Sequence, residues 1–280
     1  MADGPHGGRW RRWAMAGAFV LSALVGGSPC IGEESSPFAL PGSALEVPAL
    51  APIIVVGFAG GYIQRDAMAH GEVRFATRLR REYALGMHVE VFENHHGKMA
   101  LRQILLLLDA NHDGVLAPAE KQRARIILYG HSWGGSETVA LARQLERNGI
   151  PVLLTVQVDS VTKRGQRDGS IPANVAEAAN FYQADGLLHG RRQIHAMDPA
   201  TTRILGNFQF DYRLNHVACD RYPWFARTFM KPHIEIENDP RVWDEVDTLI
   251  RSVALGGQTL SSRDDRGLPL EVKPARCGSN

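Results

Sequence analysis

Short apolar runs with the length of strands alternate with helical segments between residues 52 and 160. Apolar runs that end in glycine are typical of strands buried on both faces, and apolar residues spaced three and four apart are typical of helices. The predicted strands are 52–61, 88–94, 125–130 and 151–160, and the helices between them are 66–84, 98–108 and 136–149. This alternation predicts a mostly parallel sheet with helices on both faces, so functional groups are expected at the carboxyl ends of the strands.

The remainder of the chain is less regular. Further strands are predicted within 174–183 and 207–214, and a final helix is predicted over 239–254, with Pro240 in its first turn. The predicted domain therefore covers residues 51–254. A Pro- and Ser-rich linker over 33–50 precedes it, and a tail over 255–280 follows it.

The first 32 residues have the order of a secretory signal peptide. Arg9, Arg11 and Arg12 precede an apolar run over 13–25, and small residues follow that run. The run is too short to span a bilayer comfortably, so a membrane anchor is the less favoured alternative. We expect an exported protein, periplasmic or secreted, with no stable membrane span after processing.

Charge and cysteine content narrow the classes of partner and fold. The chain has 31 Lys and Arg against 30 Asp and Glu, which gives a formal charge of +1. It therefore lacks the excess of positive charge that attracts nucleic acid. Cys30, Cys219 and Cys277 are too few for a disulfide scaffold. In an oxidising compartment Cys219 and Cys277 are able to pair, and the sequence leaves that pairing open.

The segment "GHSWGG" has the G-x-S-x-G pattern of a catalytic serine turn and lies between a predicted strand and a predicted helix. In such a turn Ser132 adopts a strained conformation, and Gly130 and Gly134 leave room for the chain to close. The alternative is a glycine-rich turn whose serine only caps the helix. In its strand–turn–helix setting, the pattern predicts that Ser132 is a nucleophile.

A nucleophilic serine also needs two backbone N–H groups that bind the oxyanion. Trp133 is expected to supply one, because the free N–H groups of a helix N-terminus point toward the serine. The second is expected from the loop after the first strand, from Phe58 or otherwise from Ala59.

The base and the orienting carboxylate follow from chain order. Asp159 ends the strand after the serine's helix, and His233 lies in a predicted loop before the last helix, which gives the order Ser–Asp–His. Weaker alternatives remain for both roles: Asp185 and Asp198 for the acid, and His216, His189 and His195 for the base.

Several segments together carry a resemblance to a known family. The glycine-ended first strand, "YGHSWGG", "VDSV", "NFYQ" and "HIEIENDPRVW" resemble the α/β-hydrolase superfamily, in particular its small bacterial lipase-like and thioesterase-like serine esterases. The resemblance covers about residues 51–254. It implies a three-layer α/β-hydrolase fold, with a mostly parallel sheet that is reduced at its N-terminal strands.

A second motif, "DANHDGVLAPAE" at residues 109–120, matches the calcium loop of EF-hands at each required position. Alternate oxygen ligands and a glycine turn suit a hard cation. The predicted ligands are the side chains of Asp109, Asn111, Asp113 and Glu120 and the carbonyl of Val115, with Gly114 at the turn. No second loop pairs with this one, so we expect a structural Ca²⁺ rather than a sensor, and no organic cofactor.

Taken together, the motifs predict an exported serine hydrolase that cleaves a small-molecule or lipid-like carboxylic ester or thioester. Two alternatives remain open. One is a catalytically inactive calcium-binding or structural protein on a hydrolase scaffold. The other is a peptidase or acyltransferase that uses the same three residues.

Overall fold

The computed structural model describes residues 52–84 and 86–254. The expected signal peptide, linker and C-terminal tail lie outside this part of the chain, as do Cys30 and Cys277. Cys219, the other half of the considered disulfide, is buried. None of the helices in the described part is long and apolar enough to cross a membrane.

Six strands form one sheet in which all neighbours are parallel, in the order β2-β1-β3-β4-β6-β8. A separate pair, β5 and β7, joins two short segments. The strands are β1 Ile53–Ala59, β2 Met87–Glu93, β3 Ile126–His131, β4 Val152–Val158, β5 Ser170–Ile171, β6 Val175–Gln183, β7 His195–Ala196 and β8 Arg203–Phe210. The helices are α1 Gly71–Glu82, α2 Gly97–Leu108, α3 Pro118–Gln122, α4 Trp133–Arg147, α5 Trp224–Phe229, α6 Lys231–Asn238 and α7 Pro240–Ala254.

The two faces of the sheet are covered by different helices. Side chains of α1, α6 and α7 pack in one apolar cluster with every second residue of the central strands. Side chains of α2 and α4 pack in a second cluster with the intervening residues. In β1, for example, Val55 faces the first cluster and Val56 the second. Because successive strand residues point to opposite faces, a continuous apolar run is required here.

The expected fold class is confirmed: the described residues form a three-layer α/β-hydrolase architecture, and none of their strands precedes β1. Three details differ from the sequence prediction. The last strand begins at Arg203, before the expected segment 207–214, and the β5–β7 pair was not anticipated. His233 lies inside a short helix, α6, rather than in a loop.

Candidate active site

Ser132 lies in a tight turn between β3 and α4, at the carboxyl edge of the sheet. Its φ of 56° is in the left-handed region, which is strained for a residue with a side chain. The turn closes because the neighbouring glycines leave space. A Cβ on Gly134 would lie 2.1 Å from the carbonyl oxygen of Phe58, and one on Gly130 would lie 2.5 Å from the backbone of Gly134. The local sequence therefore fits the strained turn that a nucleophilic serine needs.

Three side chains from distant parts of the sequence form one hydrogen-bonded chain. The Oγ of Ser132 lies 2.9 Å from the Nε2 of His233, and the Nδ1 of His233 lies 2.6 Å from the Oδ2 of Asp159. All three residues are buried, with exposed fractions of 8%, 2% and 0% in that order. The structure thus brings together the predicted nucleophile, base and acid in the geometry that a serine–histidine–aspartate mechanism requires.

Asp159 is held by groups from the end of β6 and from the loop that follows it. Its carboxylate accepts hydrogen bonds from the Gly190 N–H at 2.8 Å and from the Gln183 side-chain amide at 2.9 Å. Burial by itself raises the pKa of Asp159, but hydrogen bonds from His233 and Gln183 and the charge of His233 outweigh it and lower the pKa. Sequence reasoning missed these supports because a Gln side chain and a loop N–H carry no motif.

The alternative bases and acids make other contacts. The ring of His216 is hydrogen-bonded to Glu235 at 3.0 Å, and that of His195 to Ser170 at 2.9 Å. The Nδ1 of His189 lies 3.3 Å from the carbonyl of Gly190. The carboxylate of Asp185 lies 4.0 Å from Arg213, and Asp198 accepts a local turn hydrogen bond from the Ala200 N–H. The structure brings none of these five alternatives into the hydrogen-bonded chain at Ser132.

Of the expected oxyanion donors, Trp133 has a free N–H within the described part of the chain, whereas Phe58 does not. Trp133 is the first residue of α4, where its N–H has no acceptor among the described residues. Phe58, by contrast, lies inside β1, fully buried and in register with strands on both sides, so its N–H belongs to the sheet. Because this N–H is not free, the prediction that Phe58 supplies the second oxyanion donor is corrected. Ala59, the other choice, also belongs to β1 and ends that strand.

The loop after β1 approaches Ser132 at Gly60, after both of the expected residues, Phe58 and Ala59. A Cβ on Gly60 would lie 3.1 Å from the Cβ of Ser132, so only glycine allows this approach without a shift. The next residue, Gly61, has a φ of 48°, and its N–H has no acceptor among the described residues. Gly61 is therefore the better candidate for the second donor.

An open cleft of about 560 Å³ begins beside Trp133. Tyr62 and Trp133 form an edge-to-face pair with ring centroids 5.6 Å apart. Lys163 also lines the cleft and is hydrogen-bonded to Glu137 and to the carbonyl of Asn94. The lining includes Trp133 and Gly61, the two candidate oxyanion donors, and Ser132 is not part of it.

The calcium-like loop is wound by its own hydrogen bonds. The carboxylate of Asp109 accepts from the N–H groups of Gly114 at 2.9 Å and Asp113 at 3.2 Å. Glu120 spans the loop, with one oxygen 2.9 Å from the Ala110 N–H and the other 2.9 Å from the Ala117 N–H.

The oxygen-only set of ligands suits Ca²⁺. Among the described residues, however, the carboxylates of Asp109, Asp113 and Glu120 do not converge to within 4.8 Å of one another. The side chain of Asn111 is hydrogen-bonded to Asp113, and the Val115 side chain is exposed. Binding an ion would thus require Glu120 to turn from the two N–H groups toward the loop centre.

Comparisons with known proteins find only distant structural similarity. No family model matches the chain, and no curated protein matches it. Similar solved structures include RedJ, a thioesterase of prodiginine biosynthesis in Streptomyces coelicolor, at 10% identity and a TM-score of 0.34, covering 74% of this chain and 91% of that one.

Two further solved structures are hydrolases. The dienelactone hydrolase-like promiscuous phosphotriesterase P91 from metagenomic libraries is 16% identical, with a TM-score of 0.36 and coverage of 73% and 87% of the two chains. A thermostable esterase from Pseudomonas putida is 12% identical, with a TM-score of 0.33 and coverage of 76% and 74%. At these values the similarity assigns no activity, which must be argued from the chain's own residues.

Proposed function

We propose that this protein is a serine hydrolase that cleaves carboxylic esters or thioesters through an acyl-enzyme. The observation that carries the proposal is the continuous hydrogen-bonded chain from Ser132 through His233 to Asp159. A serine hydroxyl is a weak nucleophile, and an adjacent base that a carboxylate orients is the arrangement that activates it.

The geometry supports the following reaction. The Oγ of Ser132 attacks the acyl carbon while Nε2 of His233 takes its proton, and Asp159 stabilises the imidazolium that forms. The negative charge on the former carbonyl oxygen is stabilised by the N–H groups of Gly61 and Trp133. The histidine then gives its proton to the leaving alcohol or thiol. Water, deprotonated by the same histidine, releases the acid and restores Ser132.

Labelling with a fluorophosphonate followed by peptide mapping tests this proposal. We expect covalent label on the peptide that contains Ser132, together with hydrolysis of short p-nitrophenyl esters, and neither in Ser132→Ala. A folded wild-type protein that takes no label and hydrolyses no ester would be the inactive scaffold considered above. Cleavage of a matched anilide as fast as the ester would favour a peptidase.

The proposal includes export, which rests on the leader sequence over residues 1–32. It also includes a structural Ca²⁺ bound by Asp109, Asn111, Asp113, Val115 and Glu120. The support for the ion is the spacing of oxygen ligands together with the positive φ values of His112, 58°, and Gly114, 82°, which wind the loop. The ion takes no part in the chemistry proposed for Ser132.

A further inference from the structure

Two fully buried glutamates face each other behind the candidate active site. Glu72, in the first turn of α1, has an exposed fraction of 0%, and Glu237, in α6, has 1%. One carboxylate oxygen from each, together with a ring nitrogen of His70, lies in a group whose atoms are all within 4.8 Å of one another. Two adjacent negative charges without water are strongly unfavourable, so something must neutralise one of them.

The hydrogen bonds of the two carboxyl groups are unequal. Oε1 of Glu237 is 2.7 Å from Nδ1 of His70 and accepts from the Gly71 N–H at 3.3 Å. Oε1 of Glu72 accepts from the Gly60 N–H at 3.1 Å. Oε2 of Glu72, however, is buried and has no hydrogen-bond partner among the described residues. An unpaired buried carboxylate oxygen is costly, whereas a protonated one can donate.

We infer that Glu72 is a neutral carboxylic acid that donates a hydrogen bond to the carboxylate of Glu237, and that this shared proton positions the oxyanion loop. Burial first, and the charge of Glu237 second, raise the pKa of Glu72 well above its ordinary value. Burial also acts to raise the pKa of Glu237, but the interactions with His131, His70 and Tyr222 outweigh it and hold that pKa at about 2. Opposite shifts in adjacent carboxyl groups are the mark of a pair that shares one proton.

A proton fits this cluster better than a metal ion does. A cation needs several free oxygen or nitrogen atoms directed at one point. Here Oε1 of Glu237 and Oε1 of Glu72 each already accept a backbone N–H. Oε2 of Glu72 is the oxygen that is buried without a partner among the described residues, and a single proton satisfies it.

The pair is connected to both parts of the catalytic arrangement. Glu72 holds the N–H of Gly60, directly before the proposed oxyanion donor Gly61. Oε2 of Glu237 lies 3.6 Å from Nδ1 of His131, whose Nε2 is 3.2 Å from the His233 carbonyl oxygen. Glu72 is therefore a positioning residue, which acts through the loop that it holds.

Several titratable groups surround the pair. Tyr129 donates from its hydroxyl to the Glu72 carbonyl at 3.1 Å, and burial lowers the pKa of His131 to about 4 and favours its neutral form. The groups that face or electrostatically influence the pair are His70 before α1, Tyr129 and His131 in β3, and Cys219 and Tyr222 in the segment before α5.

Infrared spectroscopy tests the proton without any need for turnover. We expect the C=O stretch of a protonated carboxylic acid in wild-type protein at neutral pH, and its absence in Glu72→Gln. Glu82→Gln, which changes an exposed acid on the same helix, should keep the band. Absence of the band in the wild type would overturn the inference. So would a divalent metal, measured at one per chain in the wild type and lost in Glu72→Gln.

The stability profile gives a second readout that is independent of turnover. The pKa of Glu72 is raised in the folded state, so the folded protein binds more protons than the unfolded chain above about pH 4.3. The free energy of unfolding of the wild type should therefore fall, relative to Glu72→Gln, as the pH rises above that value. Denaturant unfolding at pH 5 and pH 8 measures this difference, and a difference that does not change with pH would contradict the inference.

The positioning role rests on the proposed function. Glu72→Ala should lower kcat by about tenfold or more with little change in KM, because an oxyanion donor acts mainly in the transition state. Glu72→Gln should restore most of that loss, since its amide can accept from Gly60 and donate to Glu237. Equal kcat losses in both variants would contradict the role. If wild type shows the infrared band but hydrolyses no ester, the proposed function fails while the shared proton stands.

Discussion

The chain carries two motifs between residues 109 and 135 that are built in opposite ways. In the loop at 109–120 the side-chain hydrogen bonds stay within the loop and span at most 10 residues, and Asn111 and Asp113 are exposed. The turn at Ser132 is buried, and its side chain reaches His233, 101 residues away, which in turn reaches Asp159, 74 residues away. The first motif is local and the second depends on the whole fold.

This difference determines how strongly each motif supports a function. A local loop forms the same hydrogen bonds in many folds, so its presence does not test whether an ion binds. The serine, by contrast, meets its partners only if strands and helices from three parts of the chain pack correctly. The convergence of Ser132, His233 and Asp159 is therefore an independent argument for chemistry, and the loop needs a direct measurement.

The largest expected effect is on the long-range side of this comparison. Asp159→Asn should lower kcat by about 10⁴-fold, because the histidine loses the carboxylate that sets its tautomer. Steady-state kinetics on a p-nitrophenyl ester measures the loss. Asp198→Asn, at an alternative acid with only a local turn contact, should retain wild-type kcat. Comparable losses in the two variants would show that Asp159 is not the orienting acid.

The second effect concerns the packing that makes the turn possible. Gly134→Ala should lower the free energy of unfolding by about 2–4 kcal/mol, because the new Cβ would lie 2.1 Å from the Phe58 carbonyl oxygen. Gly86→Ala is the matched control, since a Cβ there meets nothing within 4 Å. Chemical denaturation compares the two variants with wild type. Equal stability of Gly134→Ala and Gly86→Ala would mean that the turn is not closely packed.

The smallest effect is expected at the local loop. At a Ca²⁺ concentration ten times the dissociation constant, the ion should stabilise the fold by about 1.4 kcal/mol. For a domain of this size that corresponds to a rise in Tm of about 3–5 °C. Thermal melts in Ca²⁺ and in chelator should show this rise in wild type and lose it in Asp109→Ala. The control Asp220→Ala, at an exposed acid outside the loop, should keep the rise. If Ca²⁺ does not change the Tm of the wild type, the loop is a turn that binds no Ca²⁺.

Much of the fold could be predicted because its signals are local. Buried parallel strands require continuous apolar runs, and each predicted strand from 52 to 160 overlaps an observed one. The glycines around Ser132 indicated the turn, and chain order indicated Asp159 and His233, which the structure places in contact with each other. Their catalytic roles remain predictions.

Other features could not be predicted because their sequence signals point elsewhere. The first strand continues through Ala59, so the oxyanion loop starts later than the glycines at 57–61 suggested. "HIEIEN" alternates like a strand with solvated acids, yet it forms α6 and buries both glutamates. Glu72 likewise resembles an ordinary first-turn acid. Only the packing of α1 against α6 reveals that Glu72 and Glu237 face each other.

Strand β3 separates the two motifs, and its length sets how they can influence each other. Six residues at about 3.3 Å each put about 20 Å between the amino end of the strand, near the loop, and the serine. The screening length in physiological salt is about 8 Å. A bound cation would therefore have little electrostatic influence on charge developing at Ser132. Calcium is expected to change how many molecules are folded, while each folded molecule turns over at the same rate.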